Sequence, residues 1–389
     1  MTFGRLSTEF SVAIALASLP FTMAQTANPA TPSPPSFSAH STVVLVPALV
    51  RTKSGELLFT LTANDFAITD DGVEQKVALE QDTDSEPLAL VIAVETCGSG
   101  AKHLDEYRHL TTSIESVVGG VPHMIAVVGF GKKPELVQNF TSDMNVVGDA
   151  IRELNPSHGE AATLDTLVFS VDLLRTQEPE YRRAILLISE TLDRGSHVKL
   201  DDALQAISDT NTAIYSLAFS SPKADMHHYA QDELPTESTG GGTLTNPNPQ
   251  HPGGCMAKDP NADPGTSQDK LSQTYDCLGQ LVPPLALIKM AVIGASEGLH
   301  RNAPETVAHL TGGEYFPFRN SHDLEKNLLA ISNHIPNRYV LSFQPRSPHP
   351  GLHLIGVRLK EHPNLVVTAR RSYWADNETM NELGATPRP

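Results

Sequence analysis

Three side chains able to do chemistry stand at alternate positions in LALVIAVETCGSGAKHL, residues 88–104: Glu95, Cys97 and Ser99. A carboxylate, a thiol and a hydroxyl directly follow an apolar run, so they emerge together at the end of one buried strand. Oxygen donors of this kind suit a hard divalent cation such as Mg²⁺ or Ca²⁺. A thiol suits a softer metal or acts as a nucleophile. A nucleophilic Cys97 requires a lowered thiol pKa, and His103 and His158 are the local groups able to assist. The plainer reading of Cys97 is a small side chain packed at a strand end.

Other motifs that would signal an enzyme fail on spacing. CGSGA has Cys97 where the Gly-x-Ser-x-Gly nucleophile turn needs its first glycine. FGKKP has lysines without the glycine spacing of a phosphate loop. GASEG opens no recognisable dinucleotide fold. His227, His228, His251 and Cys255 lie in one polar region, but their spacing matches no metal motif. No His pair four apart brackets a Glu as a zincin helix would. The chain therefore reads as a binding protein, not an enzyme. The rival is a thiol- or metal-dependent enzyme using Cys97.

Net charge is -17, which opposes nucleic-acid binding, because phosphate contacts need clustered Lys and Arg. Residues 1–24 have the plan of an export signal: Arg5, the short apolar run FSVAIALASLPF, and small residues up to Ala24. That run is too short to span a bilayer, and no later run approaches the needed length. The expected location is secreted or periplasmic. In such a compartment Cys255 and Cys277 are the pair available for a disulfide, leaving Cys97 over.

Several elements must position the Glu95 loop. Residues 25–38 are a Pro-rich linker. Residues 39–84 read as a β segment, with Asp71-Gly72 as a hairpin signal between DFAIT and QKVAL. From residue 85 to 345 strands and helices alternate. LALVIAV, HMIAVVGFG, RRAILLISE and TAIYSLAFS are strands, and PELVQNF is a short antiparallel edge. LDEYRHLTTSIESVV, MNVVGDAIREL, ATLDTLVFSVDLLRT, LDDALQAISDT, PPLALIKMAVIGASEGLH, APETVAHL and HDLEKNLLAISNHI are helical. This order predicts a doubly wound α/β fold with a mostly parallel sheet. Residues 221–284, rich in Gly, Pro, Asn and Asp, interrupt it as an insertion. Residues 346–375 return to strands, and 376–389 form a disordered tail.

The strand-then-loop plan around Glu95 resembles the von Willebrand factor A (VWA) domain. More narrowly, LTANDFAITDDGVEQKV, LVIAVETCGSG, YRRAILLISETLDRGS, HLTGGEYFPFRN and NRYVLSFQP together resemble the VWFA-related domain of exported acidobacterial proteins. The resemblance covers about residues 39–375 outside the insertion. It implies a VWA/Rossmann-like sheet, with the N- and C-terminal β segments forming an accessory module. It also implies a metal-ion-dependent adhesion site of one Asp and two Ser on a first loop, a Thr on a second and an Asp on a third.

This chain departs from that pattern. Glu95 replaces the first Asp, Cys97 replaces a Ser, and Ser99 is retained. The second-loop position falls on Ala161 or on Thr163, according to alignment. Glu190 replaces the third-loop Asp, with Asp193 nearby. The expectation is a degenerate, metal-free site whose face, including Glu95, Cys97, Ser99, Thr163, Glu190 and Asp193, meets a protein partner in the cell envelope. The alternative is a remodelled Mg²⁺ or Ca²⁺ site built from Glu95, Ser99, Thr163 and Glu190.

Overall fold

The computed structural model describes residues 43–80, 86–108, 110–219, 302–346, 349–362 and 364–375. The export signal, the Pro-rich linker, the insertion with its histidines, Cys255 and Cys277, the helix expected at PPLALIKMAVIGASEGLH and the tail lie outside the described residues. Among the described residues no helix is long and apolar enough to cross a membrane.

The chain opens with strands β1 (Val44–Thr52), β2 (Phe66–Asp70), β3 (Val73–Gln75) and β4 (Ala78–Leu79). The α/β part follows: β5 (Leu88–Glu95), α1 (Leu104–Tyr107), α2 (Thr111–Val118), β6 (His123–Phe130), β7 (Pro134–Thr141), α3 (Met144–Arg152), α4 (Thr163–Leu174), β8 (Arg182–Glu190), α5 (Leu200–Asp209) and β9 (Ala213–Phe219). After the insertion come α6 (Ala303–Thr311), β10 (Tyr315–Pro317) and α7 (Ser321–His334). The last strands are β11 (Tyr339–Phe343), β12 (Gly351–Leu359), β13 (Leu365–Ala369) and β14 (Ser372–Ala375).

The central sheet has the order β10-β9-β8-β5-β6-β7. All its pairings are parallel except β6 with β7, so PELVQNF is the antiparallel edge its alternation predicts. Strand β5 is buried at every position because both faces are covered. Leu88, Leu90, Ile92 and Val94 pack with Ile114, Val147 and Leu324 on one side. Ala89, Val91 and Ala93 pack with Leu164, Leu167 and Leu204 on the other. The alternation of small and large residues on β5 thus sorts the helices. The doubly wound, mostly parallel α/β fold expected from the sequence is the fold observed.

The accessory strands form two four-stranded sheets, β13-β1-β11-β4 and β14-β12-β2-β3. They close on Val46, Ala48, Phe66, Ile68, Leu341 and Ile355. Asp71 and Gly72 join β2 to β3 with φ of +48° and +82°. Positive φ at both central positions is what a type I′ hairpin requires.

Three elements differ from the sequence reading. LDEYRHLTTSIESVV is two helices, α1 and α2, although Leu104, Tyr107, Leu110 and Ile114 keep one buried stripe. QKVAL divides between β3 and β4, which belong to different sheets. NLVVTARRSYW likewise becomes β13 and β14, the chain changing sheets at Arg370 and Arg371. Arg370 is buried there, and its guanidinium donates to Ser372 O, Asn211 Oδ1 and Ser208 Oγ.

Candidate functional site

The strand order reverses at β5, which lies between β6 and β8. Ligands of open α/β sheets collect at the carboxyl ends of strands beside such a switch point. Glu95 ends β5 and Glu190 ends β8, so both carboxylates stand at that place.

Glu95 is fully buried and turned into the protein. Its Oε2 accepts a 2.6 Å hydrogen bond from the backbone N–H of Glu190. The Cys97 thiol lies 3.8 Å from its Oε1. Burial raises the Glu95 pKa from its ordinary 4.5 to about 7. The Glu190 N–H bond opposes that rise and the Glu190 charge adds to it. Glu190 is itself buried, with Arg194 4.0 Å from its Oε1.

Cys97 is 1% exposed and packs in the cluster that includes Phe130, Ala161 and Leu164. Burial pushes its thiol up to about 12, with Glu95 adding to the rise. An activated thiol moves the other way. His103 is turned away, its Nδ1 3.3 Å from Glu106 and its ring against Phe219 and Phe318. His158 is exposed. Ser99 is half-buried on the loop rim, where its side chain makes no cap hydrogen bond to the turn Gly100–Lys102.

Thr163 and Asp193 meet each other in a second cluster. Helix α4 starts after Ala162, whose side chain cannot satisfy the free N–H groups of a helix start. Asp193 from the next loop does so instead, at 3.3 Å from Thr163 N and 3.4 Å from Leu164 N. Burial raises the Asp193 pKa, against hydrogen bonds from Ser196, Leu164 and Thr163. The Thr163 hydroxyl is buried without a hydrogen-bond partner.

Two residues outside the expected set complete the face. Ser196 Oγ accepts from Leu164 N at 2.9 Å. Asp165 accepts from the backbones of His197 and Val198 at 2.9 and 2.8 Å. Ala161 O accepts from Arg194 N and Gly195 N, at 3.2 and 2.9 Å. A Cβ on Gly195 would come within 2.5 Å of Glu160 O, so this joint needs glycine. An Asp in the first turn of a helix gives no sign in the sequence that it ties two loops together.

Of the expected face, Glu95, Cys97, Thr163 and Glu190 are buried. Ser99, Lys132, His158, Glu160 and His197 form the exposed or half-exposed rim.

As a hard-cation site the donor set fits poorly. Cys97 is a protonated thiol where an oxygen is needed. Glu95 is bonded to the chain and Asp193 caps α4.

A doubly wound sheet in this order, with one antiparallel edge and its loops of interest at the carboxyl ends of β5 and β8, is a Rossmann-like α/β fold. No family model matches the chain, and no curated protein does. Among solved structures it is similar to BatB from Bacteroides thetaiotaomicron, at 13% identity and TM-score 0.34, over 64% of this chain and 97% of that one. An aerotolerance-related membrane protein from Bacteroides fragilis matches at 13% identity and TM-score 0.35, over 64% and 100%. The VWA domain of SpRpn10 matches at 16% identity and TM-score 0.28, over 36% and 79%. The strand order, not these scores, defines the fold.

Proposed function

We propose that this chain is an exported VWA-like binding protein that engages a protein partner through its loop face without a metal ion. The observation that carries the reading is the internal use of the acidic groups. Glu95 ties the first loop to the third through Glu190 N, and Asp193 ties the third to the start of α4. Groups that would bridge an ion and a partner in an adhesion site instead hold three loops in one arrangement. A preorganised face loses less freedom on binding. Export rests on the N-terminal apolar run, and the cell envelope is the place it implies. The raised Cys97 thiol favours a packed side chain over a nucleophile.

The test is capture from native envelope extract on immobilised protein, with and without chelator. Capture should persist in chelator and fall with Ser99→Arg or His197→Glu. Capture that vanishes in chelator would support a remodelled Mg²⁺ or Ca²⁺ site instead. One observation favours that second reading: the Thr163 hydroxyl is buried without a hydrogen-bond partner, on a residue whose backbone N–H already meets Asp193. It requires stoichiometric metal that is lost in the double variant Glu95→Ala, Glu190→Ala.

A further inference from the structure

A different cluster lies in the accessory sheets, where the Asp71-Gly72 hairpin meets the start of β12. Asp70, Asp71, His349 and His353 converge there from positions about 280 residues apart. His353 Nδ1 is 2.9 Å from Asp71 Oδ2 and 3.1 Å from Asp70 Oδ1. His349 Nε2 is 3.1 Å from the same Asp71 Oδ2. One donor atom from each of Asp71, His349 and His353 falls within 4.8 Å of the other two. We propose that Asp71, His349 and His353, with Asp70 beside them, form a binding site for a divalent transition-metal ion of the zinc class.

The donor chemistry selects the metal. Two imidazoles with one or two carboxylates suit Zn²⁺ and its neighbours, whereas Mg²⁺ and Ca²⁺ prefer all-oxygen shells. The spacing is close to what such an ion needs. Metal bonds of about 2.0–2.1 Å in a tetrahedron set donors about 3.3 Å apart. Distances of 2.9 and 3.1 Å from Asp71 Oδ2 therefore have to open by only a few tenths of an ångström.

The surroundings hold these donors in the required states. His353 Nε2 lies 2.7 Å from the carbonyl oxygen of His349. A carbonyl can only accept, so the ring proton stays on Nε2 and Nδ1 faces the carboxylates. A histidine whose second nitrogen donates to a backbone carbonyl is the usual support of a metal ligand. Asp71 Oδ1 accepts from Leu354 N at 3.0 Å, which leaves Oδ2 to the two histidines. The Tyr373 hydroxyl donates to Asp70 Oδ2 at 3.1 Å, which leaves Oδ1 to His353. The His353 ring is stacked between His349, at 4.0 Å, and Tyr373, at 4.6 Å. Asp70, Asp71 and His353 are buried, while the His349 side chain is 34% exposed and gives the ion its way in.

Imidazole and carboxylate bind a metal ion in their unprotonated forms, so metal binding releases the protons they carry into solution. A plain ion-pair cluster would show neither saturable metal uptake nor this release.

The experiment is calorimetric titration of Zn²⁺ into the untagged, chelator-stripped full chain, repeated in buffers of different ionisation enthalpy to count protons. Co²⁺ absorption reports the coordination geometry. The expected result is one saturable site with proton release and a tetrahedral Co²⁺ spectrum. Affinity should fall about tenfold or more in His349→Ala, as loss of a ligand requires. Because His353→Ala removes a buried ring and endangers folding, His349→Ala and Asp70→Asn carry the test, each checked for native circular dichroism. The triple variant His227→Ala, His228→Ala, His251→Ala and the single variant Glu95→Gln should bind as the wild type does. No saturable binding, binding indifferent to His349→Ala, or binding lost in the triple variant overturns the proposal.

Discussion

The Glu95 carboxylate accepts a 2.6 Å hydrogen bond from the backbone N–H of Glu190. One side chain at the end of β5 thereby fastens the end of β8, across the position where an adhesion-type site would seat its cation. The bond also places a carboxylate beside a second acid in a buried setting, which makes this contact sensitive to pH.

Glu95 has a folded-state pKa raised to about 7, by burial first, from an ordinary 4.5. A raised carboxyl stabilises the fold fully below about 4.5 and loses that contribution as pH rises through about 7. The whole shift is worth at most about 3 kcal/mol. Glu95→Gln should flatten the stability profile between about pH 5 and 8 relative to wild type, measured by urea unfolding at several pH values. Parallel profiles would show that Glu95 titrates normally.

Asp193→Ala should destabilise the protein by about 1–2 kcal/mol, the range for loss of a helix-start acceptor. Ala162 offers no replacement. Asp193→Asn should lose less, because an amide oxygen still accepts from Thr163 N and Leu164 N. Thermal melts of both variants decide the matter, and equal loss from both would mean that the charge, not the acceptor, counts.

Cys97 should react slowly with a disulfide thiol reagent at pH 7–8 in the native protein, and at the rate of a free thiol after unfolding. Its 1% exposure and its thiol pKa, raised to about 12, both act in this direction. Rapid native labelling of Cys97, located by peptide mapping, would return the thiol chemistry to consideration.

Glu314 is held below its ordinary pKa although burial acts to raise it, because a His334 hydrogen bond and the Arg338 charge outweigh burial. Arg338 Nη2 lies 2.8 Å from Glu314 Oε2, with the guanidinium over the Tyr215 ring. Arg338→Ala should destabilise by up to about 3–5 kcal/mol, the range for breaking a buried ion pair, with His334 left as the remaining partner of the carboxylate. Arg338→Ala, Glu314→Gln together should restore part of that loss in the same melts.

Local pattern carried the central sheet. Unbroken apolar runs identify β5 and β8, alternation identifies β7, and Asp71-Gly72 identifies the hairpin. Each is a property of neighbouring residues. The sheet change at Arg370 was not legible, because a period of two is the same whichever sheet a strand joins. The break between α1 and α2 keeps its buried stripe through Leu110 and so hides from periodicity. At the site, sequence located the ends of β5 and β8 but not the direction of Glu95. Whether a carboxylate faces outward or accepts from a loop N–H is decided by the neighbouring strand. The Asp70–His353 contact was out of reach for the same reason, since its members meet only when β2 pairs with β12.

Phe219, the last residue of β9, sits in register with Glu190, and the chain re-enters at α6, where Ala303 N donates to Thr191 O at 2.9 Å. The described ends on either side of residues 220–301 thus lie at neighbouring points beside the loop face. Closing a longer or shorter excursion between fixed neighbouring ends changes free energy by only about 0.6 kcal/mol per doubling. Two ends fixed this close accept a flexible connection of another length at that small cost. Evolution or an engineer can rewrite the material next to Glu190 without renegotiating the sheet beneath it.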